Sequence, residues 1–115
     1  MAIAINQTRV NGNSVLNAKL IDSAVATTDG EWIDIRGLQN YNIHITGITT
    51  GTVQIYGSNT DAKPANNVDH ILLTTASTAD EMKSFADTNV RWIKAKVSAW
   101  TTGTFDVILE GTFNK

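Results

Sequence analysis

The chain has 115 residues, well short of the roughly 250 at which a single hydrophobic core stops growing, so one domain is expected over residues 1–115. It contains no cysteine, which excludes disulfides, thiolate zinc sites and cysteine nucleophiles. Nine Lys and Arg against eleven Asp and Glu give a net charge of -2 without a basic stripe. No apolar run approaches the ~18 residues of a membrane span, so neither nucleic acid nor a membrane is an expected partner. The start, Met1–Ile5, has no basic leader or long apolar stretch, and synthesis in the cytoplasm is expected.

Charged residues make up 17% of the chain, against about 25% in a typical globular domain. Sixteen Thr, twelve Ile and eight Val take their place. These β-branched side chains are stiff about χ1 and suit a pleated surface. Eight Gly and eleven Asn supply turns, and no long stripe of helical period is present. The composition predicts an all-β protein.

In chain order, Ile3–Arg9 reads as a first strand and Asn11-Gly12-Asn13 as a tight turn. Residues 1–13 are either that first strand or an arm that adds to a neighbour's sheet edge. A second run spans Leu16 to Ala26, with Leu16, Ala18 and Leu20 on one face, and ends at Asp29-Gly30. Trp32–Arg36 follows and Gly37 breaks it; Tyr41–Thr46 and Thr52–Tyr56 alternate cleanly. Ser58–Asn67, with the only proline at Pro64, is a polar surface loop. Val68–Thr75 is another strand. Ser77–Asp87 fits either a helix, through a capping box at Thr78, or a short strand carrying Met82 and Phe85. Arg91–Ser98 and Thr104–Thr112 close the chain.

Thr49-Thr50-Gly51-Thr52 recurs 52 residues later as Thr101-Thr102-Gly103-Thr104. The flanking Ile43, Ile45, Val53 and Ile55 align with Ala95, Val97, Phe105 and Val107. This echo predicts two β-hairpins of one build. The second would pair Val97 with Phe105, Ile93 with Leu109 and, on its other side, Lys96 with Asp106. Two facing hairpins and seven or eight strands predict a two-sheet antiparallel β-sandwich, jelly-roll or immunoglobulin-like. Its core is expected from Ile33, Ile35, Tyr41, Ile43, Ile45, Val53, Ile55, Ile71 or Leu72, Ile93, Val97, Phe105, Val107 and Leu109.

Catalytic patterns are lacking. There is no Gly-x-Ser-x-Gly, no phosphate loop, no dinucleotide fingerprint and no calcium loop. His44 alternates with isoleucines and is expected on an outer face. His70 follows Asp69, but strand neighbours point to opposite faces, which makes them a poor metal pair. No enzyme activity, metal or other cofactor is expected.

What remains is surface. Alternation sets Trp32 on one side with Arg36, and Trp92 on one side with Lys94 and Lys96, opposite the Ile-rich face. Trp100 falls in the second expected turn, and Tyr56 on the outer side of its strand. Trp, Tyr and Arg are enriched at interface hot spots. Trp32, Tyr56, Trp92 and Trp100 are therefore candidate protein contacts, with Arg36, Lys94 and Lys96 at the rim. The plainer alternative is that basic stems cover the rings or that they are buried at an edge. A sugar platform formed by Trp100 and Tyr56 is a third.

Three segments carry a family resemblance: Gly30-Glu31-Trp32-Ile33-Asp34-Ile35-Arg36-Gly37-Leu38, Thr50-Gly51-Thr52-Val53-Gln54-Ile55-Tyr56-Gly57-Ser58-Asn59, and the stretch from Arg91-Trp92-Ile93-Lys94 to Val107-Ile108-Leu109-Glu110-Gly111. Across residues 30–112 the chain resembles small virion proteins of tailed bacteriophages. The resemblance implies a non-enzymatic structural protein of the particle, above all a capsid decoration or cement protein, seated on the major capsid protein or other virion proteins as a homo-oligomer, by analogy a trimer. A tail, baseplate or fibre adaptor and a carbohydrate- or receptor-binding module are the alternatives.

Overall fold

The computed structural model describes residues 5–10, 13–65, 70–86 and 90–113. The expected first strand is present over β1 (Ile5–Val10), which pairs antiparallel with β2 (Asn13–Ala24). The Asn11-Gly12 part of the expected turn and the residues before Ile5 lie outside the described residues. Two short strands follow, β3 (Thr28–Asp29) and β4 (Ile33–Asp34). Then comes β5 (Leu38–Ser58), 21 residues long. After it come β6 (Ile71–Leu72), β7 (Glu81–Phe85) and β8 (Trp92–Phe113), the last of 22 residues. Every described regular element is a strand and every pairing is antiparallel, as the composition predicts. Within the ambiguous segment Ser77–Asp87, Glu81–Phe85 is a strand, carrying Met82 and Phe85, and Asp87 lies outside the described residues.

The long strands correct the hairpin reading. Neither Thr-Thr-Gly-Thr segment is a turn: β5 and β8 run through them and pair with each other along their whole length. Ile43 faces Leu109, Ile45 faces Val107, Val53 faces Val97 and Ile55 faces Ala95. Lys96 accordingly faces Gln54, and Asp106 faces Thr46, so the expected Lys96–Asp106 pair does not form. Asp106 instead accepts a hydrogen bond of 2.9 Å from the backbone N–H of Ser23. Ser23 sits at positive φ where β2 slips register against β8.

A straight strand of 21 residues would run about 70 Å at ~3.3 Å per residue, yet the longest dimension of the molecule is 42 Å. Both strands therefore bend. The register slips repeatedly between Thr46 and Val53, and Gly47 and Gly103 adopt φ of 87° and 120° in this stretch. The bend folds one continuous hydrogen-bonded sheet into two layers. In the first, residues 105–112 of β8 and 40–46 of β5 lie between β2 on one side and β7 on the other, with β1 outside β2. In the second, residues 92–97 of β8 and 53–58 of β5 lie between β3 and β4 on one side and β6 on the other.

The space between the layers holds a single hydrophobic core. Alternation fills it with Leu16, Ala18, Ile43, Ile45, Val107 and Leu109 from the first layer and Ile33, Val53, Ile55, Ile93 and Val97 from the second. Phe105 at the bend is fully buried. Ile71 and Leu72 are corrections to the expected core, being 70% and 42% exposed. They occupy a two-residue strand at the sheet edge, where no second layer reaches them. Leu38, Phe85 and Val90, by contrast, are buried members of the core.

Candidate functional site

The ladder places Trp32, Tyr56, Trp92, Lys94 and Lys96 on the outer side of the second layer, as parity requires. Ile33 faces Ile93 and Asp34 faces Trp92, so Trp32 runs alongside Lys94, and Lys94 faces Tyr56. Exposure does not follow. Trp32 is 3% exposed and Lys94 fully buried, which corrects the expectation that they lie open on the outer face. The reason is a second cover. The Trp92 indole N–H donates to the Thr60 carbonyl at 2.9 Å, and the Arg91 N–H donates to Asn59 Oδ1 at 2.8 Å. Lys63 Nζ reaches Glu31 at 3.2 Å. The loop after β5 is thereby tied back against this face.

Under that cover lies a cluster built around Lys94. Its Nζ is 2.6 Å from Asp29 Oδ1 on β3. It also lies 5.3 Å from the Trp32 ring centroid and 5.8 Å from that of Tyr56. The His70 ring sets its edge to both aromatics, 4.6 Å from Tyr56 and 6.0 Å from Trp32. Two π-faces and one carboxylate are what a desolvated ammonium needs in place of water. The site is thus a cation cage, and the cation in it is the chain's own. It joins β3 to β8 and β5. Trp32 Nε1 and His70 Nδ1 are buried here without a hydrogen-bond partner.

The remaining candidates are only partly free. Trp92 is half-buried, with the Arg91 guanidinium 5.6 Å from its ring centroid. Trp100 lies within β8 opposite Gly51 and not in a turn, packs partly against the core, and donates from Nε1 to the Gly103 carbonyl at 2.9 Å. The Tyr56 hydroxyl donates to Gln54 at 2.8 Å. Both rings proposed as a sugar platform are therefore held by the chain itself. Arg36 is exposed and paired with Asp34 at 3.1 Å, and Lys96 is half-buried between Asp29 and Gln54 in the ladder. The structure brings Trp32, Tyr56 and Lys94 together, leaves Trp100 at the bend, and leaves Arg36 at the surface.

Sequence reasoning missed His70 and Asp29 as members of this cluster, since both belong to segments brought in from elsewhere in the chain. It also missed the large apolar side chains that do meet solvent. Among the described residues these are, besides Ile71 and Leu72, Val25 and Met82, 59% and 56% exposed. Among the described residues, no three His, Asp or Glu side chains gather as a metal site.

No protein-family model and no characterised protein matches the chain in sequence. Its fold is that of a solved structure, the SPBc2 prophage-derived protein YomS. The two share 17% identity over 92% of this chain and 97% of that one, with a TM-score of 0.60. A more distant similarity, at 6% identity and a TM-score of 0.43, is to the Drosophila melanogaster CENP-C cupin domain, over 94% of this chain and 74% of that one.

Proposed function

We propose that this chain is a non-enzymatic structural protein of a bacteriophage particle, and specifically a capsid decoration protein that stabilises the head through protein–protein contacts. The observation that carries the reading is the likeness in fold to a prophage-derived protein over nearly the full length of both chains. The motif resemblance to virion proteins between residues 30 and 112 points the same way. The architecture suits the role. A cement protein is a rigid module whose contacts at subunit boundaries favour the assembled shell by mass action. Here two strands of more than twenty residues run through both layers, and the lysine cage ties the outer face of one layer.

In this reading the partners are the major capsid protein or other virion proteins, together with further copies of the chain. Synthesis is in the host cytoplasm and residence is in the virion. The contact residues shift with the structure. Trp92, Trp100 and Tyr56 offer their accessible edges and Arg36 and Lys96 their charges, joined by the exposed Val25, Ile71, Leu72 and Met82. Trp32 and Lys94 serve the fold instead. Immunogold labelling of purified particles tests the assignment. Gold over the head supports it, whereas gold confined to the tail makes the chain a tail or baseplate adaptor.

A further inference from the structure

We propose that β7 is a self-association edge, at which two copies of the chain pair antiparallel about a two-fold axis centred on Met82. This deepens the oligomeric part of the proposed function and rests on it. β7 bonds to β5 from Tyr41 to Ile45 and, among the described residues, to no other strand. Among the described residues its far edge pairs with nothing, and the backbone donors and acceptors of such an edge are a template for another strand. An antiparallel edge is complementary to itself, so one surface serves both copies.

The register follows from charge. With Met82 facing Met82 of the second copy, Glu81 faces Lys83 of the second copy, and the two-fold repeats that pair. A slip of two residues one way sets Lys83 against Lys83, and a slip the other way sets Glu81 against Glu81, each with like charges directly opposed. A slip of one residue turns the core face of one copy to the solvent side of the other. The Glu-Met-Lys sequence thus specifies one antiparallel register and disfavours its neighbours.

The side chains are already placed for it. Glu81 and Lys83 lie 3.5 Å apart along the strand, and the lysine side chain is only 16% exposed, opposite Ile43 in the ladder. The charges are therefore held at the edge. Met82 is 56% exposed on the other face and heads a cross-strand row through His44 to Ile108. Pairing covers the methionine and joins that row to its counterpart, making the two first layers one sheet. The resulting symmetry is two-fold, in contrast to the trimer implied by the family resemblance.

The test is sedimentation equilibrium on the full chain. Wild type is expected to show a concentration-dependent dimer. Glu81→Lys and Lys83→Glu, each with one sign of charge at both positions, are expected to dimerise at least tenfold more weakly, with far-UV circular dichroism and melting showing that they fold. Mixed in equal amounts, the two variants are expected to form a heterodimer, and the double exchange to recover wild-type affinity. In a chain without cysteine, oxidised Met82→Cys is expected to run as a covalent dimer. A wild type that stays monomeric, single variants as dimeric as wild type, or a mixture no tighter than its components would each overturn the proposal. Particle binding by a wild-type monomer would overturn it while leaving the virion assignment standing.

Discussion

Gly47 and Gly103 meet where the two long strands bend. Both are at positive φ, and a side-chain carbon on Gly103 would strike the Gly47 carbonyl oxygen, while one on Gly47 would strike the Thr104 carbonyl. Two backbones approach at this point more closely than any side chain allows. That approach converts a single sheet into two facing layers.

Alanine at either position is therefore expected to destabilise the fold through both the left-handed backbone and the blocked approach. Such strain costs of order 1–3 kcal/mol for the backbone alone, with the clash in addition. Urea denaturation of Gly47→Ala and Gly103→Ala should show midpoints well below wild type. A midpoint unchanged within error would contradict the bend geometry.

Lys94 and Asp29 form a buried pair in which the lysine has no contact with water and the carboxylate side chain is 28% exposed. Removing only the carboxylate leaves an uncompensated charge under the roof. Asp29→Ala is expected to cost about 3 kcal/mol, the lower end for a broken buried pair because the carboxylate touches solvent. Lys94→Met combined with Asp29→Ala removes both charges and should recover much of that loss. A double-mutant cycle by denaturant titration measures the difference.

Tyr41 has a buried hydroxyl without a hydrogen-bond partner, and burial pushes its pKa from 10.0 to about 12. The sign follows directly. The fold favours the neutral phenol, so this contribution is complete below pH 10 and is lost as pH rises toward about 12. The loss should approach ~2–3 kcal/mol. Tyr41→Phe should abolish that part of the alkaline fall and leave stability near pH 7 unchanged or slightly raised, since the orphaned hydroxyl disappears. Thermal melts of both proteins between pH 8 and pH 12 (a range set by these values) check it.

The tryptophans divide by role. Trp32→Ala should cost about 3–5 kcal/mol, as expected for a large buried aromatic, and should free the Lys94 ammonium from one of its two π-faces. Trp92→Ala should cost the fold less and particle binding more, because this ring is only half-buried. Comparing melting temperature with co-sedimentation on capsids separates the two. Equal loss of both properties in Trp92→Ala would make that ring part of the fold as well.

Alternation made most of the core legible. Tyr41, Ile43 and Ile45, and likewise Ile93, Val97, Val107 and Leu109, are buried as their period of two predicts. The partner of each strand was not legible. A Thr-Thr-Gly-Thr segment satisfies a hairpin turn and a bent strand equally, and only the pairing of β5 with β8, across the 33 residues that separate the two strands, distinguishes them. Parity also placed Trp32 and Lys94 on the correct side of the sheet. Their burial depends on Thr60, Lys63 and His70 returning from a polar stretch, and no local pattern encodes that return. Ile71 and Leu72 failed in the opposite direction, since an apolar pair says nothing about whether a second layer extends far enough to cover it.

Under the proposed function the chain resides on the head of the phage particle. Quantitative immunogold labelling of purified, salt-washed virions measures that most directly. Gold is expected in an array over the capsid surface, lost when the chain is deleted, with particles that then burst more readily on heating. Virions bearing no label, with the chain found only in the host lysate, would contradict it.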